Sequence, residues 1–207
     1  MVIGAVAKKT KEIKKMDRIE HPNVAKTLRH LNGDKMLLSF SKIYLQHFST
    51  RYLDKQDPKV LAAFLSERFH FFNETLTQGK DFEGRFHFSF KQYGHDKRQV
   101  LEFVCPDASH ILITIQALFK EFDLRILRTF HPIMAVGFNS KDKLEVVDFP
   151  GLDDQLVTVT YIEFDPIEDE QVMTEFNDRI SYHLFASVYA SYGQKQMFGI
   201  MEEIKSQ

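Results

Sequence analysis

Phe86-His87-Phe88-Ser89-Phe90-Lys91 alternates aromatic and polar residues with a period of two. Successive side chains of a strand point to opposite faces, so this stretch reads as a half-buried β-strand with three Phe on one side. It is also where the chain changes character. Upstream, apolar residues recur at helical spacing; from Gly84 onward, strands and helices alternate.

Working downstream, residues 93–97 (Tyr-Gly-His-Asp-Lys) read as a hairpin turn and residues 99–105 as a second strand. Ile111, Leu112, Ile115, Leu118, Phe119 and Phe122 fall on one face of an apolar helix. Residues 124–138 form one long β-rich run, bent or bulged at His131-Pro132 because proline cannot donate to a sheet. A turn over residues 148–154, around Pro150-Gly151, precedes an alternating strand at 156–164. Asp165-Pro166 is expected to cap a long last helix, with Glu168, Asp169 and Glu170 in its first turn to suit the helix dipole. Val172, Phe176, Ile180 and Leu184 form its buried stripe, and Gly193 is expected to interrupt it before a tail holding Met197, Ile200 and Ile204.

Working upstream, Met36, Leu37, Phe40, Ile43, Tyr44 and Phe48 mark one helix face. Asp57-Pro58 opens a second helix: Asp supplies the capping oxygen, and proline sits where its missing N–H costs nothing. Val60, Leu61, Phe64, Leu65, Phe69 and Phe72 are its stripe, and Gly79 supplies the stop. Two antiparallel helices with a short connection follow.

Residues 84–187 therefore read β-β-α-β-β-α, and the fold class is α+β: a ferredoxin-like sandwich preceded by an N-terminal helical hairpin. Both helices are expected on one face of the sheet, leaving an open, apolar-rich face that seeks a partner: another sheet, the N-terminal helices or a second chain. The boundaries are a basic, partly flexible arm at 1–35, the helical hairpin at 36–80, the α+β domain at 81–187 and a helical extension at 188–207. The arm carries 9 Lys and Arg against 4 Asp and Glu, a net of +5, whereas residues 141–178 carry 2 against 12, a net of −10. The basic residues of the arm have no aromatic residue among them, which removes the stacking half of a single-strand binder.

Composition narrows the function classes. The 207 residues hold 20 Phe and no Trp, 43% apolar and 27% charged residues, and a net charge of −2. A phosphate-reading protein carries a positive excess, so no nucleic-acid partner is expected. The longest apolar cluster, residues 111–119, is too short to span a membrane, and the apolar start precedes its lysines, the reverse of a secretory signal. One Cys excludes a disulfide framework and points to a cytoplasmic setting.

The sequence is expected to hold no catalytic residue and no metal site. No two Gly are closer than five residues, so the dinucleotide fingerprint is missing. Gly79 through Arg85 imitates a P-loop spacing, but Arg85-Phe86 stands where Lys and a hydroxyl residue belong. The nine His include no zinc-binding pair. Cys105 near His110 has the makings of a nucleophile, yet a small buried thiol packing the sheet accounts for it as well.

The stretch from Gln99 through Val-Leu-Glu-Phe-Val-Cys-Pro-Asp to Thr129-Phe130-His131-Pro132 resembles the first ACT-type segment of the very large NAD-specific glutamate dehydrogenases. In that family a strand leads into an Asp-Asp-Met-Pro-Phe-Leu-Val-Asp-Ser helix start, and a later strand ends in His-Pro and an apolar residue, as at His131-Pro132-Ile133. Tyr44-Leu45-Gln46-His47-Phe48, Asp57-Pro58 and the Leu-Ala-Ala helix are similar too, so the likeness covers most of residues 36–207. The helix start departs from the pattern. Residues 106–114 read Pro-Asp-Ala-Ser-His-Ile-Leu-Ile-Thr, without one Asp, the Pro and the inner Asp.

The resemblance implies an ACT-like fold and a regulatory or architectural region. The parent would be a longer enzyme that oxidises glutamate to 2-oxoglutarate with NAD, its catalytic and nucleotide-binding domains beyond Gln207. The cofactor is thus the parent's and not this chain's. The partners implied are the downstream domains, an amino-acid effector and further copies in a homo-oligomer. A stand-alone amino-acid sensor and a protein-interaction adaptor remain as alternatives. In an ACT-like unit the turn from strand to first helix presents unpaired N–H groups that suit an amino acid's carboxylate. Here that turn holds Asp107, Ala108 and Ser109: Asp107 would take the ligand's ammonium, and the small residues would let it approach. The competing reading makes Asp107 the helix N-cap.

Overall fold

The computed structural model describes residues 21–31, 34–77, 85–93, 96–108, 110–138, 144–147 and 155–205. Six helices and six strands lie among them, and every strand pairing described within the two units is antiparallel, so the chain is mixed helix and antiparallel sheet. It divides into two compact units.

The first unit comprises residues 1–77 and 134–155. Its helices are α1 (Pro22–His30), α2 (Lys35–Leu45), α3 (Thr50–Asp54) and α4 (Pro58–Leu76). Each begins where a side chain satisfies the free N–H groups of its first turn: His21, Asp34, Ser49 and Asp57. Asp57 accepts from the N–H groups of Lys59 and Val60 at 2.7 and 3.3 Å, with Pro58 in the first turn as the sequence predicts. Phe40, Tyr44, Phe48 and Phe72 are fully buried, and their rings meet at 5.0 to 5.7 Å in tilted and edge-on pairs.

Two expectations change here. Residues 22–30, read as part of an arm, form a helix that buries Val24 and Thr27. Asn23 Nδ2 ties this helix to the Leu53 carbonyl at 2.8 Å, a long-range bond that no local pattern announces. Residues 1–20 lie outside the described residues. The helical hairpin becomes three helices, α2, α3 and α4, joined in this unit by β4 (Ile133–Phe138, from Met134 on) and β5 (Leu144–Val147), which pair with each other.

The second unit comprises residues 78–133 and 156–207. It contains β1 (Arg85–Tyr93), β2 (Asp96–Pro106), α5 (Ile111–Glu121), β3 (Ile126–Phe130), β6 (Gln155–Phe164) and α6 (Glu170–Lys205). β1 pairs with β2, β2 with β6, and β6 with β3. One sheet face carries Leu101, Phe103, Cys105, Ile162 and Phe164. These pack with Ile111, Ile115, Leu118 and Phe119 of α5 and with Phe176, Ile180, Leu184 and Val188 of α6. Phe119 meets Phe164 at 4.9 Å and Phe176 at 5.1 Å, both edge-on. Phe86 packs against this core, which fixes the register of β1; the Phe88 and Phe90 side chains lie outside the described residues.

The other face is buried as well. Val100, Val104, Val157 and Val159 on it are buried, and so are Glu102 and Glu163, each 1% exposed. β6 is buried continuously from Val157 to Phe164 instead of alternating.

Four local readings are corrected. The single bent strand over 124–138 is two strands, because Pro132 turns its carbonyl to the Val159 N–H at 3.0 Å and ends the first ladder. The strand β5 is an addition; the turn expected at 148–154 lies outside the described residues, as do residues 94–95 of the hairpin turn. Asp169, not Asp165-Pro166, caps α6, accepting from Gln171 and Val172 N–H at 2.8 and 3.2 Å. The α6 helix also continues through Gly193 to Lys205, since one glycine costs a helix only about 1 kcal/mol. Its stripe is Phe176, Ile180, Leu184 and Val188, with Val172 37% exposed.

Candidate functional site

The β2–α5 turn begins as an extension of the ladder. Cys105 pairs with Thr158 and Pro106 with Val157, and the Asp107 N–H then donates to the Leu156 carbonyl at 2.8 Å. This register sets Asp107 beside β6, where the Thr158 hydroxyl donates to Asp107 Oδ1 at 2.7 Å. Two residues further along β6, the Thr160 hydroxyl meets His131 Nδ1 at 2.6 Å. Thr158 and Thr160 are 0% and 2% exposed, so both hydroxyls need partners inside the protein, and Asp107 and His131 supply them.

Asp107 is the electrostatic centre of this group. Burial first, and then the Asp107 carboxylate, push the Cys105 thiol far above its ordinary value. Burial pulls the His131 imidazole below its usual value, and the same carboxylate offsets this only in part. Beside Asp107 and the two hydroxyls, the cluster at neutral pH therefore holds a neutral imidazole and a protonated thiol. A thiol held protonated is a poor nucleophile. Cys105 is 3% exposed in the core while His110 is exposed, and among the described residues no hydrogen bond joins them.

The turn does not use Asp107 as the helix cap. That position belongs to His110, whose backbone is left-handed at φ 68° and whose side chain makes no capping bond. A non-glycine residue there costs conformational energy, which the fixed ends on either side of the turn must hold. The Ile111 N–H donates to the Ala108 carbonyl at 3.3 Å, and the Thr114 N–H to His110 at 2.9 Å. Ala108 is 5% exposed and packs in the core, and Ser109 lies outside the described residues. Among the described residues Asp107 Oδ2 carries no hydrogen bond, so one carboxylate oxygen remains for a donor.

The partners of Asp107 were not legible from the turn itself. Thr158 lies 51 residues away and Thr160 reaches His131 across 29. The alternation of Thr158 and Thr160 on one side of a strand and the His-Pro strand end were the available signals. Residues 105–110 of this turn hold no glycine. Among the described residues no three His, Cys, Asp or Glu side chains come together to hold a metal ion. None of the described helices is long and apolar enough to cross a membrane.

A family model described as "Glutamate dehydrogenase, ACT1 domain" matches residues 40–180. No curated protein and no solved structure matches the chain.

Proposed function

The chain belongs to the family of the glutamate dehydrogenase ACT1 domain, and from that premise we propose that it serves as the regulatory and architectural region of an NAD-dependent enzyme. The parent converts glutamate to 2-oxoglutarate in the cytoplasm, as a homo-oligomer, with its catalytic domains downstream. Within it, β1, β2, α5, β3, β6 and α6 form the ββαββα frame, and residues 134–155 are an insertion between its third and fourth strands. The order β1-β2-β6-β3 supports this, since it is the ferredoxin-like order begun one strand early.

On this reading the chain binds no NAD itself and senses an amino acid at the β2–α5 turn. The observation that carries the sensing role is the Asp107 carboxylate, oriented by Thr158 through one oxygen and left with the other for an ammonium group. Because an amide oxygen also accepts from Thr158, Asp107→Asn should keep stability within about 1 kcal/mol, yet weaken an ammonium contact by about 1–3 kcal/mol. The test is glutamate-dependent NAD reduction by the full polypeptide, titrated with each of the twenty amino acids. Asp107→Asn should shift the effector's midpoint and leave the KM for NAD unchanged. An unshifted midpoint in a stable variant removes Asp107 from the site, and a parent that responds to no amino acid removes the sensing role.

A further inference from the structure

Thr160 fixes where the proton of His131 sits. Its side chain is buried, and its hydroxyl meets His131 Nδ1 at 2.6 Å. Among the described residues this is the only bond that the hydroxyl makes. A buried hydroxyl has one hydrogen to give, and leaving that hydrogen without an acceptor is costly. The bond network therefore assigns Thr160 as donor and Nδ1 as acceptor, which puts the N–H of the neutral imidazole on Nε2. Among the described residues that N–H has no acceptor.

The same logic holds one step along β6. The Thr158 hydroxyl gives its hydrogen to Asp107 Oδ1 at 2.7 Å, and among the described residues Oδ2 receives none. Thr158 and Thr160 lie on one side of the strand, about 6.6 Å apart. Asp107 and His131 thus hang from neighbouring positions, both half-buried and close enough for the carboxylate to act on the imidazole. The backbone around His131 is fixed: Phe130 pairs with Tyr161, and the Pro132 carbonyl accepts from the Val159 N–H at 3.0 Å. A ligand here meets an acceptor and a donor already in place.

An α-amino acid carries an ammonium and a carboxylate on one carbon. The N–H groups of the turn are poor candidates for that carboxylate, since Asp107 N–H is spent on the Leu156 carbonyl and Ile111 N–H on Ala108. A simple amine satisfies Asp107 alone, and a simple acid sets its charge beside the Asp107 carboxylate. Building on the ammonium contact proposed for Asp107, we infer that His131 Nε2–H takes the carboxylate of the same amino acid, so that the site selects an α-amino acid over an amine.

The test is calorimetry on the full polypeptide at neutral pH with each of the twenty L-amino acids. Whichever binds is compared with the amine left when its carboxylate is removed, as ethylamine for L-alanine. In His131→Asn the side-chain oxygen can still accept from Thr160 in place of Nδ1, while nothing stands where Nε2 stood. The parent should bind the amino acid about ten-fold tighter than its amine, the worth of one charge-assisted contact. His131→Asn should lose about that factor for the amino acid and bind the amine as the parent does. A merely structural role would move both alike. Asp107→Asn should weaken both, so the two contacts fail separately. Equal binding of amine and amino acid by the parent overturns the inference, whether or not His131→Asn folds. So does parent-like binding of the amino acid by a folded His131→Asn. Binding of no amino acid removes the sensing role and the His131 contact together.

Discussion

Replacing Glu163 with Gln tests what holds the frame of the sheet together. Glu163 is 1% exposed and accepts from Arg98 Nη1 at 2.8 Å, Arg128 Nη1 at 3.1 Å and the Tyr161 hydroxyl at 2.7 Å. One carboxylate on β6 thereby joins β2 and β3. Breaking a buried pair by removing one partner costs about 3–5 kcal/mol. Arg98 and Arg128 keep 23% and 27% side-chain exposure, so water recovers part of their loss, and the lower end of that range, about 3 kcal/mol, applies. Arg128→Gln should cost only about 1–2 kcal/mol, because Glu163 keeps Arg98 and Tyr161. If the two act as a pair, the double variant should fall short of additivity by about 1–2 kcal/mol. Urea unfolding followed by circular dichroism measures all three, with the midpoint falling at constant slope. A Glu163→Gln loss below about 1 kcal/mol, or full additivity with Arg128→Gln, would refute the clamp. The consequence reaches the candidate site, because Arg128 precedes His131 by three residues on the strand that sets His131 against Thr160.

Two further outcomes follow from the shifted groups. The folded His131 binds its proton less readily than the unfolded one, so its contribution to stability is complete above about pH 6.5 and is lost as pH falls through that value toward the lower folded pKa. His131→Asn should flatten the fall in melting temperature between pH 7 and pH 5; equal slopes would show that His131 is not buried as described. Cys105, buried and protonated, should resist iodoacetamide in the native chain at pH 8 and react at once in denaturant, as mass spectrometry would record. Native labelling as fast as in denaturant would contradict its place in the core.

The sequence by itself determined the kinds of element and most of their ends. The period-two Phe run fixed β1, Asp57-Pro58 fixed the start of α4, and the apolar spacing of residues 111–122 fixed the α5 face. Those signals are local: a side-chain period, a cap or a proline acts within one turn of helix or a few residues of strand. Tertiary structure decided what local pattern cannot encode. Asp165 looked like a cap and became the partner of Arg125, leaving the cap to Asp169. Asp107 looked like a cap and became the partner of Thr158. A carboxylate before a helix satisfies its N–H groups or an incoming hydroxyl or guanidinium equally well, and only the strand register chooses between them. Glu102 and Glu163, each 1% exposed, show the same limit, since no local pattern announces a buried carboxylate on a strand. Burial of these carboxylates, like the register that sets Thr158 beside Asp107, is a property of the fold and not of local sequence.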